Sequence, residues 1–282
     1  MAGLPGRARV PGGDGGRRHP GLPAGDPVTA VPGQVADPSA VVGEDVELPG
    51  AEGDAVRGYL ARPRGAGAAC AGIVVVHEAF GLNEHIRDVA RRFANVGYHA
   101  LAPDLYTREG APPEGDREAV FAAIGALPDA RAVADLQGAA AFLRELPGAT
   151  GRIGSIGFCS GGRQTLLFAC SDDAPNAAVD CWGGSILRAG PDAQTTPARP
   201  VPPIDLADRL ACPVLLVAGA EDANPSPADV EAFARAAGHE ATVQVYEGAG
   251  HAFFADYRPM YRPEAAARLW PELLAFLDAH LH

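Results

Sequence analysis

Arg152-Ile153-Gly154-Ser155-Ile156-Gly157-Phe158-Cys159-Ser160-Gly161-Gly162 joins a short apolar run to a glycine-flanked centre, and an apolar helical stretch, Gln164 to Ala169, follows it. This is the strand–turn–helix pattern of a nucleophile elbow, G-x-S-x-G, with cysteine in the serine position. The glycines permit a sharp turn that lifts the central side chain into the open. A helix starting directly behind it aims backbone N–H groups and the positive end of its dipole at that side chain. Cys159 is therefore expected to be partly thiolate at neutral pH. A buried structural thiol is the bland alternative, and the flanking glycines argue against it. Ser160 sits one residue past the apex, where its backbone N–H is better placed as an oxyanion donor than its hydroxyl is as a nucleophile.

Outward from the elbow, strands alternate with helices. Ala55–Ala61 and Gly72–His77 read as strands. Asn83–Asn95 has helical spacing, with Ile86, Val89, Ala90 and Phe93 on one face. Tyr98–Ala102 is a strand, and a helical region from about Gly115 to Arg144 is split near Pro128. After the elbow come strand Ala177–Trp182, strand Pro213–Ala218, helix Pro227–Ala237, strand Thr242–Tyr246 and helix Pro263–Leu281. The alternation predicts an α/β fold, a mostly parallel central sheet with helices on both faces. Ligands of such sheets bind outside the carboxyl ends of the strands.

A nucleophile needs a base, and the base needs an orienting acid. Strand Pro213–Ala218 runs into Gly219-Ala220-Glu221-Asp222, and strand Thr242–Tyr246 into Glu247-Gly248-Ala249-Gly250-His251. The chain order nucleophile, acid, histidine is that of the α/β-hydrolases. His251 is the candidate base and Asp222 the candidate acid, with Glu221 as competitor. His77, His85 and His99 lack partners at ligand spacing and read as local packing.

Composition bounds the rest. The chain has 282 residues and a net charge of −12, which disfavours nucleic acid and anionic membrane surfaces as partners. It contains no lysine, so Schiff-base chemistry and a P-loop lysine are excluded. Five cysteines without a C-x-x-C pair fit a reducing cytoplasm better than a disulfide framework. No apolar run approaches the roughly 18–20 residues of a membrane span. No metal-ligand spacing and no cofactor motif is present. Sixteen of residues 1–40 are Gly or Pro, so that segment reads as a disordered tail ahead of one domain at 41–282. Leu187–Pro203 is a Pro-rich excursion without period, a lid or a surface loop.

Four segments together carry a resemblance: Val76-His77-Glu78-Ala79-Phe80-Gly81-Leu82-Asn83, Ala102-Pro103-Asp104-Leu105-Tyr106, Gly157-Phe158-Cys159-Ser160-Gly161-Gly162 and Gly248-Ala249-Gly250-His251-Ala252-Phe253. On these the chain resembles the dienelactone hydrolase (carboxymethylenebutenolidase) family of α/β-hydrolases over roughly residues 45–282. The resemblance implies a triad of Cys159, Asp222 and His251. It also implies that Glu78 contacts the thiol and helps to generate the thiolate, the alternative being that Glu78 caps the helix near Asn83. Backbone N–H groups of Ala79 and Ser160 would form the oxyanion hole, and Phe80 and Trp182 would lie near the substrate. Of two family arginines that hold a substrate carboxylate, Arg117 matches one. Ala255 stands where the second would fall, with Arg258 three residues on as a substitute or a surface charge.

The resulting expectation is a hydrolase of small lactones or carboxylic esters, monomeric or a small homo-oligomer, working through an acyl-enzyme without metal or cofactor. Cleavage of other esters or thioesters is a second reading. A non-catalytic thiol sensor of oxidants or electrophiles is a third.

Overall fold

The computed structural model describes residues 31–65, 69–113, 115–187 and 195–282. Its strands are β1 (Val41–Pro49), β2 (Ala55–Pro63), β3 (Cys70–Val76), β4 (His99–Pro103), β5 (Ala149–Phe158), β6 (Ala177–Cys181), β7 (Val214–Gly219) and β8 (Ala241–Tyr246). The helices are α1 (Glu84–Asn95), α2 (Arg117–Ala126), α3 (Asp129–Arg144), α4 (Ser160–Ala169), α5 (Pro227–Ala237) and α6 (Pro263–Leu281). All eight strands form one sheet in the order β1-β2-β4-β3-β5-β6-β7-β8. β1, β2 and β4 pair antiparallel, and every pair from β4 through β3 to β8 is parallel.

The all-apolar reading of β3 has a simple cause: both of its faces are covered. Ile73 and Val75 pack with α1 and α6 through Ile86, Phe93 and Leu277, while Val74 and Val76 pack with α3 through Leu136 and Leu143. Further along the sheet, Val214 and Leu216 of β7 meet Leu166 of α4 and Phe233 of α5. The α2–α3 break falls at Leu127-Pro128, because proline lacks the N–H that a continuous helix would need there.

β1 escaped the sequence reading because it is an edge strand. Only Val41 and Leu48 are buried in it, and the run Gly43-Glu44-Asp45 masks any period of two. Residues 1–30 of the expected tail, and 188–194 of the Pro-rich excursion, lie outside the described residues. Part of residues 31–40 packs on the body: the Pro32 carbonyl accepts a hydrogen bond from Arg92 Nη1 at 3.3 Å, and Gly33, at φ +73°, lies against the Trp270 indole.

The strand order places the site. β3 is followed by β4 on one side and flanked by β5 on the other, so the chain changes winding direction between β3 and β5. Val76 is in register with Gly157, which brings the carboxyl ends of these two strands level. A crevice opens at such a reversal point.

Candidate active site

Cys159 occupies the turn between β5 and α4 with φ 55° and ψ −118°, a backbone conformation that non-glycine residues rarely adopt. The turn is held on both sides: the Cys159 N–H donates to the Cys181 carbonyl of β6 at 3.0 Å, and the Cys159 carbonyl accepts from Arg163 N–H at 3.3 Å. Two glycines make it possible. A Cβ on Gly157 would stand 2.1 Å from the Gly161 carbonyl oxygen, and one on Gly161 2.4 Å from that of His77. The first turn of α4 therefore rides directly on the end of β3.

The end of β3 is itself braced. His77 Nε2 accepts from the Leu105 N–H at 3.1 Å, so its proton sits on Nδ1 and is donated to the Glu78 carbonyl at 2.6 Å. Burial pushes this imidazole below its ordinary pKa and keeps it neutral. His77 thereby fixes the backbone that leads into Ala79.

Loops after β7 and β8 bring the other two groups. His251 Nδ1 lies 2.7 Å from Asp222 Oδ2, and the ring is close enough to the Cys159 sulfur to feel its charge. Burial alone would lower the His251 pKa, but the Asp222 carboxylate and the Cys159 sulfur outweigh it and raise the imidazole to about 10. Asp222 is buried, and its Oδ1 accepts from Asn224 N–H at 2.9 Å, which leaves Oδ2 for the histidine. Glu221 is exposed and does not meet His251. Among the five cysteines Cys159 alone is part-exposed; burial pushes the thiols of Cys170 and Cys212 up to about 12.

A cavity of about 750 Å³ opens over Cys159, lined also by Ala79, Phe80, Ser160 and His251. Arg117, exposed at the start of α2, forms part of its rim with the guanidinium 5.4 Å from the Phe121 ring. A neighbouring hollow of about 800 Å³ shares Phe80 and Arg258 with it. That hollow holds no nucleophile, and its charges answer one another: Arg91 pairs with Glu84, and Arg92 with Asp88 and Asp256.

Glu78 is buried, but its contacts are with Tyr257 and Arg258. Its Oε2 accepts from the Tyr257 hydroxyl at 3.2 Å, and Oε1 lies 3.5 Å from Arg258 Nη1. It is not the cap of α1; Asn83 Oδ1 takes that place by accepting from Ile86 N–H at 3.1 Å. Arg258 stacks over Phe80 at 5.1 Å and lines the cavity, so it is not a detached surface charge. Trp182 does not join the lining. Only 1% exposed, its ring is packed between Phe158 and Phe253 in the core.

Arg163 and Arg199 also line the cavity, and the sequence did not point to either. Arg163 sits within an apolar helical stretch, and Arg199 in the Pro-rich excursion, where no period marks an inward-facing side chain.

Among the described residues, no group of three or more His, Cys, Asp or Glu side chains is arranged to hold a metal ion. No helix among them is long and apolar enough to cross a membrane.

Comparison with known proteins follows this geometry. The model of the "Dienelactone hydrolase family" matches residues 56–281. A protein of Escherichia coli strain K12 named "Putative carboxymethylenebutenolidase" is 37% identical over 263 residues, covering 92% of this chain and 94% of that one. A Bradyrhizobium protein named "Probable 2-oxo-3-(5-oxofuran-2-ylidene)propanoate lactonase" is 31% identical over 236 residues, covering 82% of this chain and 92% of its own. The crystal structure of a dienelactone hydrolase-type protein from Klebsiella pneumoniae superposes with a TM-score of 0.77 at 36% identity, covering 85% of this chain and 99% of that one.

Proposed function

From the premise that this chain belongs to the dienelactone hydrolase family, we propose that it hydrolyses small lactones or carboxylic esters with Cys159 as nucleophile, His251 as acid and base, and Asp222 as orienting acid. The observation that carries this reading is the His251 ring, 2.7 Å from Asp222 Oδ2, lining the same cavity as Cys159.

The steps follow from these positions. The Cys159 thiolate attacks the carbonyl carbon, and backbone N–H groups of Ala79 and Ser160 receive the oxyanion. Collapse breaks the C–O bond, and the His251 imidazolium gives its proton to the departing oxygen. Neutral His251 then takes a proton from water, whose oxygen attacks the thioester carbonyl. Breaking the C–S bond releases the acid and restores the thiolate–imidazolium pair. In a lactone the departing oxygen stays tethered, and the product is a single hydroxy or keto acid.

Glu78 sets Arg258 against Phe80 at the cavity wall. A substrate that draws Arg258 away frees the Glu78 carboxylate to take the S–H proton from the share of Cys159 that is still thiol, and Glu78 returns that proton when the product leaves. Arg117 stands at the entrance for a polar substrate end.

The test is turnover of a dienelactone and of an aryl ester by the wild type and by Cys159→Ala, with mass spectrometry of the quenched wild type. A covalent acyl adduct on Cys159 and loss of turnover in the variant are expected. Equal activity in Cys159→Ala overturns the covalent mechanism.

A further inference from the structure

Four arginines line the catalytic cavity, and their charges are treated differently. Arg163 is 3% exposed and gives both Nη atoms to Asp129, at 2.5 and 2.9 Å. Arg258 is paired with Glu78, and Arg117 is exposed, where water solvates it. Arg199 is part-exposed, but its Nε and Nη2 are buried and, among the described residues, have no hydrogen-bond partner.

We propose that Arg199, seated beside Arg163 in the wall of the catalytic cavity, is the residue that holds an anionic group of the substrate, a carboxylate by chemical class. This rests on the hydrolase reading of the cavity and deepens it.

Three observations carry it. The first is charge. Arg163 and Arg199 face one carboxylate, Asp129, which leaves one positive charge over. The cavity's own carboxylates are engaged elsewhere, Asp222 on His251 and Asp116 as the N-cap of α2. Buried guanidinium N–H groups without an acceptor are costly, and an arriving anion removes that cost.

The second is donor geometry. Arg163 Nε and the Tyr106 hydroxyl are likewise buried without a partner among the described residues, so unanswered donors gather near one spot. Tyr106 is close enough to feel the charges of both Arg199 and Cys159. An oxyanion with two oxygens suits a guanidinium edge, which donates two parallel bonds.

The third is anchoring. The Arg199 N–H closes a turn on the Thr196 carbonyl at 3.0 Å. The Asp129 N–H at the start of α3 holds the Ala198 carbonyl at 2.8 Å, and Arg163 Nη2 reaches the Val201 carbonyl at 3.5 Å. The side chain therefore hangs from a segment tied to α3 and α4.

The test compares alkylation of Cys159 by iodoacetate, which carries a carboxylate, and by iodoacetamide, its neutral isostere. The iodoacetate-to-iodoacetamide rate ratio is expected to fall about tenfold in Arg199→Gln, the scale of one charge-assisted hydrogen bond. Arg199→Lys should recover part of it. An unchanged ratio in Arg199→Gln, whether both rates hold or both fall alike, overturns the proposal. Should the glutamine variant fail to fold, the wild type decides. Propionate is expected to protect Cys159 from iodoacetamide where propionamide does not, and equal protection, or none, overturns the proposal. Alkylation needs no turnover, so an ester assay that fails sinks the hydrolase reading without touching this result.

Discussion

His251 Nδ1 and Asp222 Oδ2 stand 2.7 Å apart although they come from separate loops, after β8 and after β7. Parallel pairing of those strands, with Gly219 level with Tyr246, brings the two loops together. The contact selects Asp222 over its exposed neighbour Glu221. Asp222→Asn is expected to lower kcat by about 10²–10⁴-fold, since the imidazole loses its charge partner and its fixed tautomer. Glu221→Gln should stay within about twofold of wild type by the same reasoning. Steady-state kinetics on an aryl ester decides, and the reverse ranking would make Glu221 the acid.

The same contact links stability to pH. His251 is raised from the ordinary histidine value of 6.5 to about 10, so the folded state binds the proton more tightly than the unfolded chain does. Its contribution to stability is fully present below about pH 6.5 and is lost as pH rises through about 10. Urea midpoints measured from pH 6 to 10 should fall across that window, and Asp222→Asn should flatten the slope. A midpoint that rises with pH there would contradict the assignment.

Gly161 has no room for a methyl group. Its Cβ would meet the His77 carbonyl oxygen at 2.4 Å, with backbone rather than a pliable side chain in the way. Gly161→Ala should cost about 1–3 kcal/mol or more in urea unfolding and lower kcat by shifting Ser160 relative to Ala79. Gly125 near the end of α2 meets nothing within 4 Å, so Gly125→Ala should stabilise by about 0.5–1 kcal/mol.

Asp129 faces both Arg163 and Arg199 from within the protein. Asp129→Asn leaves two guanidinium groups without a countercharge. A loss of about 3–5 kcal/mol is expected by chemical denaturation; a change under about 1 kcal/mol would mean that water reaches the pair.

Glu78→Gln keeps the shape of the side chain but gives up the charge that faces Arg258 at 3.5 Å. Substrate-dependent acceleration of Cys159 alkylation should disappear in this variant. An unchanged acceleration would confine Glu78 to positioning Arg258.

Much of the fold was legible because its signals are local. β3 and β7 announce themselves as unbroken apolar runs since both faces are buried, and Pro128 marks the α2–α3 break since it cannot donate. The elbow at Cys159 is partly legible for the same reason: Gly157 is demanded by a contact with Gly161 four residues on, whereas Gly161 is demanded by the distant His77 carbonyl. β1 was hidden because an exposed edge strand tolerates Glu44, Asp45 and Glu47. The burial of Trp182 against Phe158 and Phe253 was hidden because an aromatic residue at a strand end says nothing about which side of the sheet layer it enters.

By itself the sequence determined the α/β architecture and the order of the candidate groups: a cysteine at a glycine-bounded turn, followed by Asp222 and His251, in a chain without lysine. Only the tertiary structure decided the electrostatics. That Asp222 rather than Glu221 meets the histidine, that Glu78 is held by Arg258, and that two buried nitrogens of Arg199 have no partner among the described residues are facts of long-range proximity. Backbone periodicity encodes which face a residue takes, whereas charge pairing depends on distances between segments far apart in the chain, and those are set only when the sheet closes its register and the loops pack over its carboxyl end.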